Sequence, residues 1–297
     1  MNGRAPLRLP TDREVGAFER DGYVLMPGVL DPAWLESLAP ACERIIAMSD
    51  TINLTAEAVR LALPSTPSEL FSARSYEEVE ARGRFFVHFN TSRQDQAVLD
   101  FALRGAVGGL AAGLMRSATA RFVDDVFFVK EPGAQEETEW HDDDGGGVMV
   151  GAQRCSLWIS LGDVTEEMGP LRFLRGSHRR FAGWRTQGLK AAALIAANTA
   201  DIATCPLRLG DVIAHHPATI HGSSGNRGAM RRRSWALRFA GEGVRFTLPA
   251  LRANERDWYQ LNDGDPLDGP RFPQAWPPQD PRRLNDARAQ HDRTRAP

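Results

Sequence analysis

The stretch Arg154-Cys155-Ser156-Leu157-Trp158-Ile159-Ser160-Leu161 decides the fold class. Side chains of an extended chain alternate between two faces. Cys155, Leu157, Ile159 and Leu161 therefore share one face, and Arg154, Ser156, Trp158 and Ser160 the other. Arg232 to Phe239 repeats the pattern, with Arg233, Trp235, Leu237 and Phe239 opposite Arg232, Ser234, Ala236 and Arg238. A strand whose second face mixes small, polar and basic groups suits a polar lumen. Further short runs at Ala120 to Lys130, Leu171 to Leu174 and Val212 to His216, divided by turn residues, predict a sandwich or barrel after about residue 119.

Upstream the texture is helical. Thr11-Asp12-Arg13-Glu14 matches a capping box, and Asp21-Gly22 ends the helix it starts. Tyr23 to Met26 reads as a strand. Asp31-Pro32 starts a second helix, which Pro40 should kink or split. Helices are also expected over Leu54 to Leu63 and Tyr76 to Ala81, within an Asp50 to Gly83 region that could cover a site. Phe85 to Phe89 reads as a strand, and Gln94 to Met115 as one long helix that Gly105, Gly108, Gly109 and Gly113 weaken locally or open to close packing by other backbone. From about Pro249 the chain is rich in Pro, Arg and Asp and is expected to wrap the domain. These readings give a single domain over 1–297: a helical part with edge strands (11–118), a β core (119–245) and a C-terminal wrap (246–297).

The 297 residues can bury a sizeable core. A net charge of −2 indicates no bulk attraction to nucleic acid or membrane. Cys42, Cys155 and Cys205 form no CxxC pair, so neither a disulfide framework nor a thiolate zinc site is expected. With no signal-like or membrane-length apolar run, the expected setting is cytoplasmic. The expected partner is a small molecule, with no nucleic acid and no membrane, and the chain is expected to be a monomer or homodimer.

Chemistry concentrates in Thr138-Glu139-Trp140-His141-Asp142-Asp143-Asp144, which runs into Gly145-Gly146-Gly147. On a strand His141 and Asp143 point the same way and could grip one metal ion. A third ligand has candidates in His215, His216 and His221, of which His221 is favoured because a Gly-Ser turn and an arginine-bearing strand follow it. Two histidines and a carboxylate leave open positions suited to a non-haem Fe(II) oxygenase. Arg232 shares its face with small residues, and a guanidinium buried there needs a carboxylate partner, which a dicarboxylate co-substrate would provide. The competing reading is a surface Arg231-Arg232-Arg233 run. His88 and Asn90, at the end of an early strand, are candidates to reach a substrate.

The blocks TEWHDDD (138–144), SLWISLGDVTEEMGPLRFLRGSHR (156–179) and HGSSGNRGAMRRRSWALRF (221–239) resemble the phytanoyl-CoA dioxygenase family of Fe(II)/2-oxoglutarate-dependent oxygenases, and FERDGYVLMPGVLDPAWLESL (18–38) is similar to that family's N-terminus. The resemblance implies a mainly β fold with flanking helices, built on a double-stranded β-helix (a jelly roll, cupin-like) core. It implies that His141, Asp143 and His221 hold Fe(II), and that Arg232, with Ser223 nearby, takes the distal carboxylate of 2-oxoglutarate. Trp158 stands where the family places an aromatic against the co-substrate. Lys130, in a Lys130-Glu131-Pro132-Gly133 turn, and His178, in a Gly-Ser-His turn, are read as structural.

The implied activity is a dioxygenase consuming O2 and 2-oxoglutarate, hydroxylating an unactivated C–H of a small molecule and releasing succinate and CO2. Related halogenases lack the carboxylate and bind chloride in its place, so Asp143 argues for hydroxylation. Desaturation, cyclisation or epimerisation after the same hydrogen abstraction stay open. From other classes, a non-catalytic jelly-roll binding protein is opposed by the intact His141, Asp143, His221 and Arg232 set, and a metal-dependent hydrolase leaves Arg232 unexplained. The chain departs from the family at Asp142, where Gln is frequent, and at Asp144 with its three glycines, where bulky residues are usual. Asp142, Asp144 and Arg238 point to a polar or charged substrate.

Overall fold

Thr11 opens the first helix, Asp12–Asp21, through a reciprocal capping box with Glu14, and Gly22 closes it in the left-handed conformation. The next helical stretch is split as its prolines demand. Asp31 caps Pro32–Glu36, accepting from the Ala33 N–H at 2.9 Å, and the chain restarts at Ala39–Ile46 with Pro40 in the first turn. In this computed structural model residues 6–49, 51–54, 83–104, 107–144, 148–248 and 259–278 are described. The helix expected over Tyr76 to Ala81, all but the first residue of that expected over Leu54 to Leu63, residues 50 and 55–82 of the Asp50 to Gly83 cover, the three glycines after Asp144 and most of the C-terminal wrap lie outside those residues.

In chain order the strands are β1 (Tyr23–Met26), β2 (Ile52–Asn53), β3 (Phe85–Phe89), β4 (Ala120–Lys130), β5 (Thr138–His141), β6 (Met149–Val150) and β7 (Arg154–Ser160). They continue as β8 (Leu171–Leu174), β9 (Ile202–Cys205), β10 (Val212–His215), β11 (His221–Ser223), β12 (Arg232–Ala240), β13 (Arg245–Phe246) and β14 (Gln274–Trp276). A large antiparallel sheet runs β1-β10-β7-β12-β4-β3-β2, with β14 also beside β4. A smaller sheet runs β5-β11-β8-β9, and β6 pairs with β13.

Alternation gives the large sheet two unlike faces. Cys155, Leu157, Ile159, Trp235, Leu237 and Phe239 pack outward with the helices, in one cluster that includes Val15, Phe18, Phe101 and Leu110. Trp158, Ile213 and Ala236 pack inward against Leu171, Phe173 and Cys205 of the small sheet. Two antiparallel sheets facing across a core, with helices on one outer face, make the mainly β, jelly-roll architecture expected.

One expectation is corrected. The helix read over Gln94 to Met115 is two helices, Gln96–Arg104 and Val107–Leu114. Gly108 serves close packing: a Cβ there would lie 2.7 Å from the Ala275 carbonyl oxygen, so β14 approaches this helix only because the side chain is missing.

Candidate metal centre

β5 and β11 are neighbours in the small sheet, and their register sets His141 directly opposite His221, with ring centroids 4.3 Å apart. Each imidazole is oriented by its own backbone: His141 Nδ1 lies 2.7 Å from the Glu139 carbonyl and His221 Nδ1 2.9 Å from that of Thr219. A carbonyl can only accept, so both Nδ1 atoms carry the proton and both Nε2 lone pairs are free for a metal. The strand ends at His141, yet Asp143 keeps the same side because its N–H donates to the Pro217 carbonyl at 2.8 Å. One ligand atom each from His141, Asp143 and His221 lies within 4.8 Å of the others, a spacing a single ion can bridge.

The electrostatics favour the deprotonated forms that metal binding requires. Burial would raise the Asp143 carboxyl, but the Arg238 charge, with His215 and His221, holds it well below the usual carboxylate range. Arg238 Nη2 is 3.4 Å from Asp143 Oδ1, and His215 Nε2 is 3.5 Å from Oδ2. Burial, then the neighbouring His141 and His215, hold His221 neutral well below its ordinary value. Of the three candidate third histidines, His221 joins the cluster. His215 flanks the carboxylate. His216 faces His178, whose Nε2 donates to the Glu19 carbonyl at 3.2 Å. The Gly-Ser turn expected after His221 is part of β11 instead: Gly222 has no room for a side chain, since a Cβ would come 2.8 Å from the Thr138 carbonyl oxygen.

A second polar corner lies two residues further along β11. Arg232 and Lys130 are direct cross-strand partners on β12 and β4, and both are buried. Lys130 Nζ donates to Ser223 Oγ at 3.1 Å and to the Ser224 carbonyl at 2.8 Å, and lies over the Phe85 ring. Arg232 lies over the Trp158 ring and donates from Nη1 to the Gly169 carbonyl, while its Nε is buried with no partner. Burial lowers Arg232 to about 9; burial and the Arg232 charge lower Lys130 well below its ordinary value. Among the described residues neither cation has a carboxylate ion pair, an arrangement that an added carboxylate would satisfy. Arg231 and Arg233 instead meet Glu43 on the outside, which removes the surface-run reading for Arg232. Sequence reading gave Lys130 only a turn role. The signal for more was its shared phase with Val126 and Phe128 at the end of β4, but its pairing with Arg232 is not written in the sequence.

The remaining candidates separate. A cavity of about 420 Å³ reaches Asp143 and is lined by Phe89, Asn90, Val123, Asp124, Asp142, Val148, Met149, Arg154, Pro217 and Arg238. Asn90, Asp142 and Arg238 thus border it. The Asp142 carboxylate is taken by Trp184 Nε1 and Arg185 Nη1. Asp144 is exposed and pairs with Arg154. His88 is a correction: one residue out of phase with Val87 and Phe89, it turns to the helical side, where its ring nitrogens meet Thr51 Oγ1 at 2.6 Å and Gln94 Nε2 at 3.0 Å. Asp124, which alternation along β4 did not single out, lines the cavity because the register of β4 shifts beside it.

The sequence profile of the phytanoyl-CoA dioxygenase family matches residues 18–234. No curated protein sequence matches the chain. Among solved structures, the non-haem alpha-ketoglutarate-dependent carbocyclase SnoK from nogalamycin biosynthesis is 22% identical, with a TM-score of 0.69 over 90% of this chain and 96% of that one. The epimerase SnoN, in complex with Fe3+, alpha-ketoglutarate and nogalamycin RO, is 22% identical, with a TM-score of 0.65 over 89% and 98%. EctD from S. alaskensis, with 2-oxoglutarate and 5-hydroxyectoine, is 19% identical, with a TM-score of 0.57 over 86% and 85%. At these identities the likeness is one of fold.

Proposed function

The chain belongs to the phytanoyl-CoA dioxygenase family of non-haem iron, 2-oxoglutarate-dependent oxygenases, and from that premise we propose that it hydroxylates an unactivated C–H of a small molecule. The observation that supports this reading most is the triad, with both Nδ1 atoms anchored to backbone and both Nε2 atoms free. His141, Asp143 and His221 would hold Fe(II). Lys130, Arg232 and Ser223 would hold the distal carboxylate of 2-oxoglutarate, with Trp158 as a wall of its site. His221 and Ser223 are two residues apart on one strand, a rise of roughly 7 Å, which suits a short dicarboxylate reaching from the metal to the two cations. When bound, iron and 2-oxoglutarate supply O2 activation and hydrogen abstraction, with succinate and CO2 released.

The chain's own residues do the rest. Arg238 and His215 keep Asp143 ionised and oriented, Phe173 packs beside His221 at 5.9 Å between centroids, and the cavity next to Asp143 presents the substrate carbon to the metal side. We place the protein in the cytoplasm as a single-domain monomer or homodimer acting without nucleic acid or membrane. A net charge of −2 gives no bulk attraction to nucleic acid or to a membrane surface, and among the described residues no single helix is long and apolar enough to cross a membrane. Candidate substrates incubated with enzyme, Fe(II), 2-oxoglutarate and O2 should gain one oxygen per succinate formed, read by mass spectrometry. Loss of two hydrogens, or an isomer of unchanged mass, would move the assignment to desaturation, cyclisation or epimerisation. Absence of succinate throughout would remove the proposal.

A further inference from the structure

The cavity beside Asp143 carries an irregularity that points to what it binds. In the pairing of β12 with β4, Arg238 lies opposite Asp124, but the next residue, Phe239, lies opposite Phe122, so Val123 is an extra residue in β4. Such a bulge interrupts alternation and re-aims side chains. Phe122 packs toward the helices, and Asp125 turns away from the cavity to accept from Thr91 and Ser92. Val123 and Asp124, adjacent in sequence, both line the cavity. A carboxylate and an apolar side chain are thereby set together on one wall.

Asp124 Oδ1 accepts from Arg238 Nη1 at 3.0 Å; among the described residues Oδ2 has no partner, and the side chain keeps 24% of its exposure. Arg238 is ion-paired through both terminal nitrogens, the other one being on Asp143, and only its Nε, buried out of reach of solvent, has no partner. The other charged groups of the lining are committed too: Arg154 to Asp144, and Asp142 to Arg185. Among the described residues, then, the lining offers an anionic ligand no free cation. A cationic ligand would compete with Arg238 for a carboxylate already neutralised. An uncharged donor can use Oδ2 and leave no charge unpaired. Phe89, Val123, Val148 and Met149 supply apolar surface beside it, and Phe89 is 53% exposed.

We propose that Asp124, set by the bulge at Val123 and held by Arg238, is the residue that recognises a hydroxyl of an uncharged, partly apolar substrate. This rests on the reading of His141, Asp143 and His221 as the iron site, and deepens it by naming the substrate class. It separates the chain from phosphate-bearing acyl thioesters, which would bring several negative charges to a cavity whose described residues offer no spare cation.

The test is binding, on Fe(II)-loaded protein with 2-oxoglutarate under nitrogen, using three compounds on one scaffold: naphthyl β-glucoside, naphthyl phosphate and naphthylmethylammonium. Thermal shift and calorimetry give affinity, while the visible charge-transfer band of the Fe(II)–2-oxoglutarate complex reports separately on the metal site. The glucoside should bind at least about ten-fold more tightly than either charged compound, in line with the cost of an unpaired charge. Asp124→Asn, which keeps an oxygen for Arg238 and turns the cavity-facing acceptor into a donor, should weaken the glucoside about ten- to hundred-fold. Asp124→Ser gives the same reading should the Asn variant not fold. Tighter binding of the phosphate or the ammonium, no binding of the glucoside, or an unchanged affinity in both Asp124 variants would overturn the proposal. A missing charge-transfer band would count against the iron site instead, because thermal shift still reads the glucoside without it.

Discussion

Lys130 and Arg232 set two buried cations side by side, and that pair governs how the site should respond to pH and to substitution. Arg232→Ala removes charge-assisted hydrogen bonds to a carboxylate, each worth about 1.5–3 kcal/mol. It should raise the 2-oxoglutarate concentration needed for half-saturation roughly ten- to hundred-fold while iron affinity changes far less, read by anaerobic titration of both ligands. Lys130 carries a pH signature. Burial and the Arg232 charge lower its value in the free protein, and a bound carboxylate would raise it again. Between the two values the free protein is neutral at Lys130 and the complex is charged, so binding takes up a proton and affinity falls as pH rises through that window. Calorimetry in buffers of different ionisation enthalpy measures the uptake. Lys130→Met should weaken binding and flatten the slope; an unchanged slope would place the proton elsewhere. At this scale Arg232 was legible through strand phase and His141 with Asp143 through their spacing, although the Pro217 carbonyl rather than the strand holds Asp143 in place, whereas Lys130 and Asp124 depend on which strands lie side by side and where one of them bulges.

At the scale of elements, long alternating strands were legible and short ones were not. Ala120–Lys130 and Leu171–Leu174 occur with the bounds read from their apolar runs between turn residues, whereas the bulge that shifts the phase of β4 at Val123 was not legible. β6 and β13 are two residues each, too short to show a period. β11 hides behind a glycine that reads as a turn but permits close strand approach. Close backbone approach, one of the two roles read for the glycines of Gln94 to Met115, is the one Gly108 has, while the division of that stretch into two helices was not legible. Gly108 predicts the outcome of a substitution that propensity alone would call favourable. Gly108→Ala gains helix propensity of about 1 kcal/mol but drives a methyl into the Ala275 carbonyl, an overpacking cost of about 1–3 kcal/mol. The variant should therefore be no more stable than the parent, or less stable, by the midpoint of urea unfolding. A clear gain would mean that β14 does not sit against this helix.

Across the whole molecule, the candidate site residues gather where the two sheets face one another. The large sheet brings Lys130, Arg232, Arg238, Asp124 and Trp158 from its inner face, and the small sheet brings His141, His221 and Ser223. A core containing Trp158, Leu171, Phe173 and Ile213 keeps the sheets in register. Composition and alternation predicted a sandwich or barrel, and family resemblance made that a jelly roll; the cavity could not be read in advance, because it forms from residues on separate strands and on loops that meet only in the folded chain. The central claim is that one Fe(II) held by His141, Asp143 and His221 accepts 2-oxoglutarate beside Arg232 and Lys130. Its most direct test is an anaerobic titration of 2-oxoglutarate into the Fe(II)-loaded protein, followed by visible absorption. A charge-transfer band saturating at one 2-oxoglutarate per iron, and lost in His141→Ala together with the iron itself, is the predicted result; iron that binds without the band, or a band that persists in His141→Ala, would contradict it.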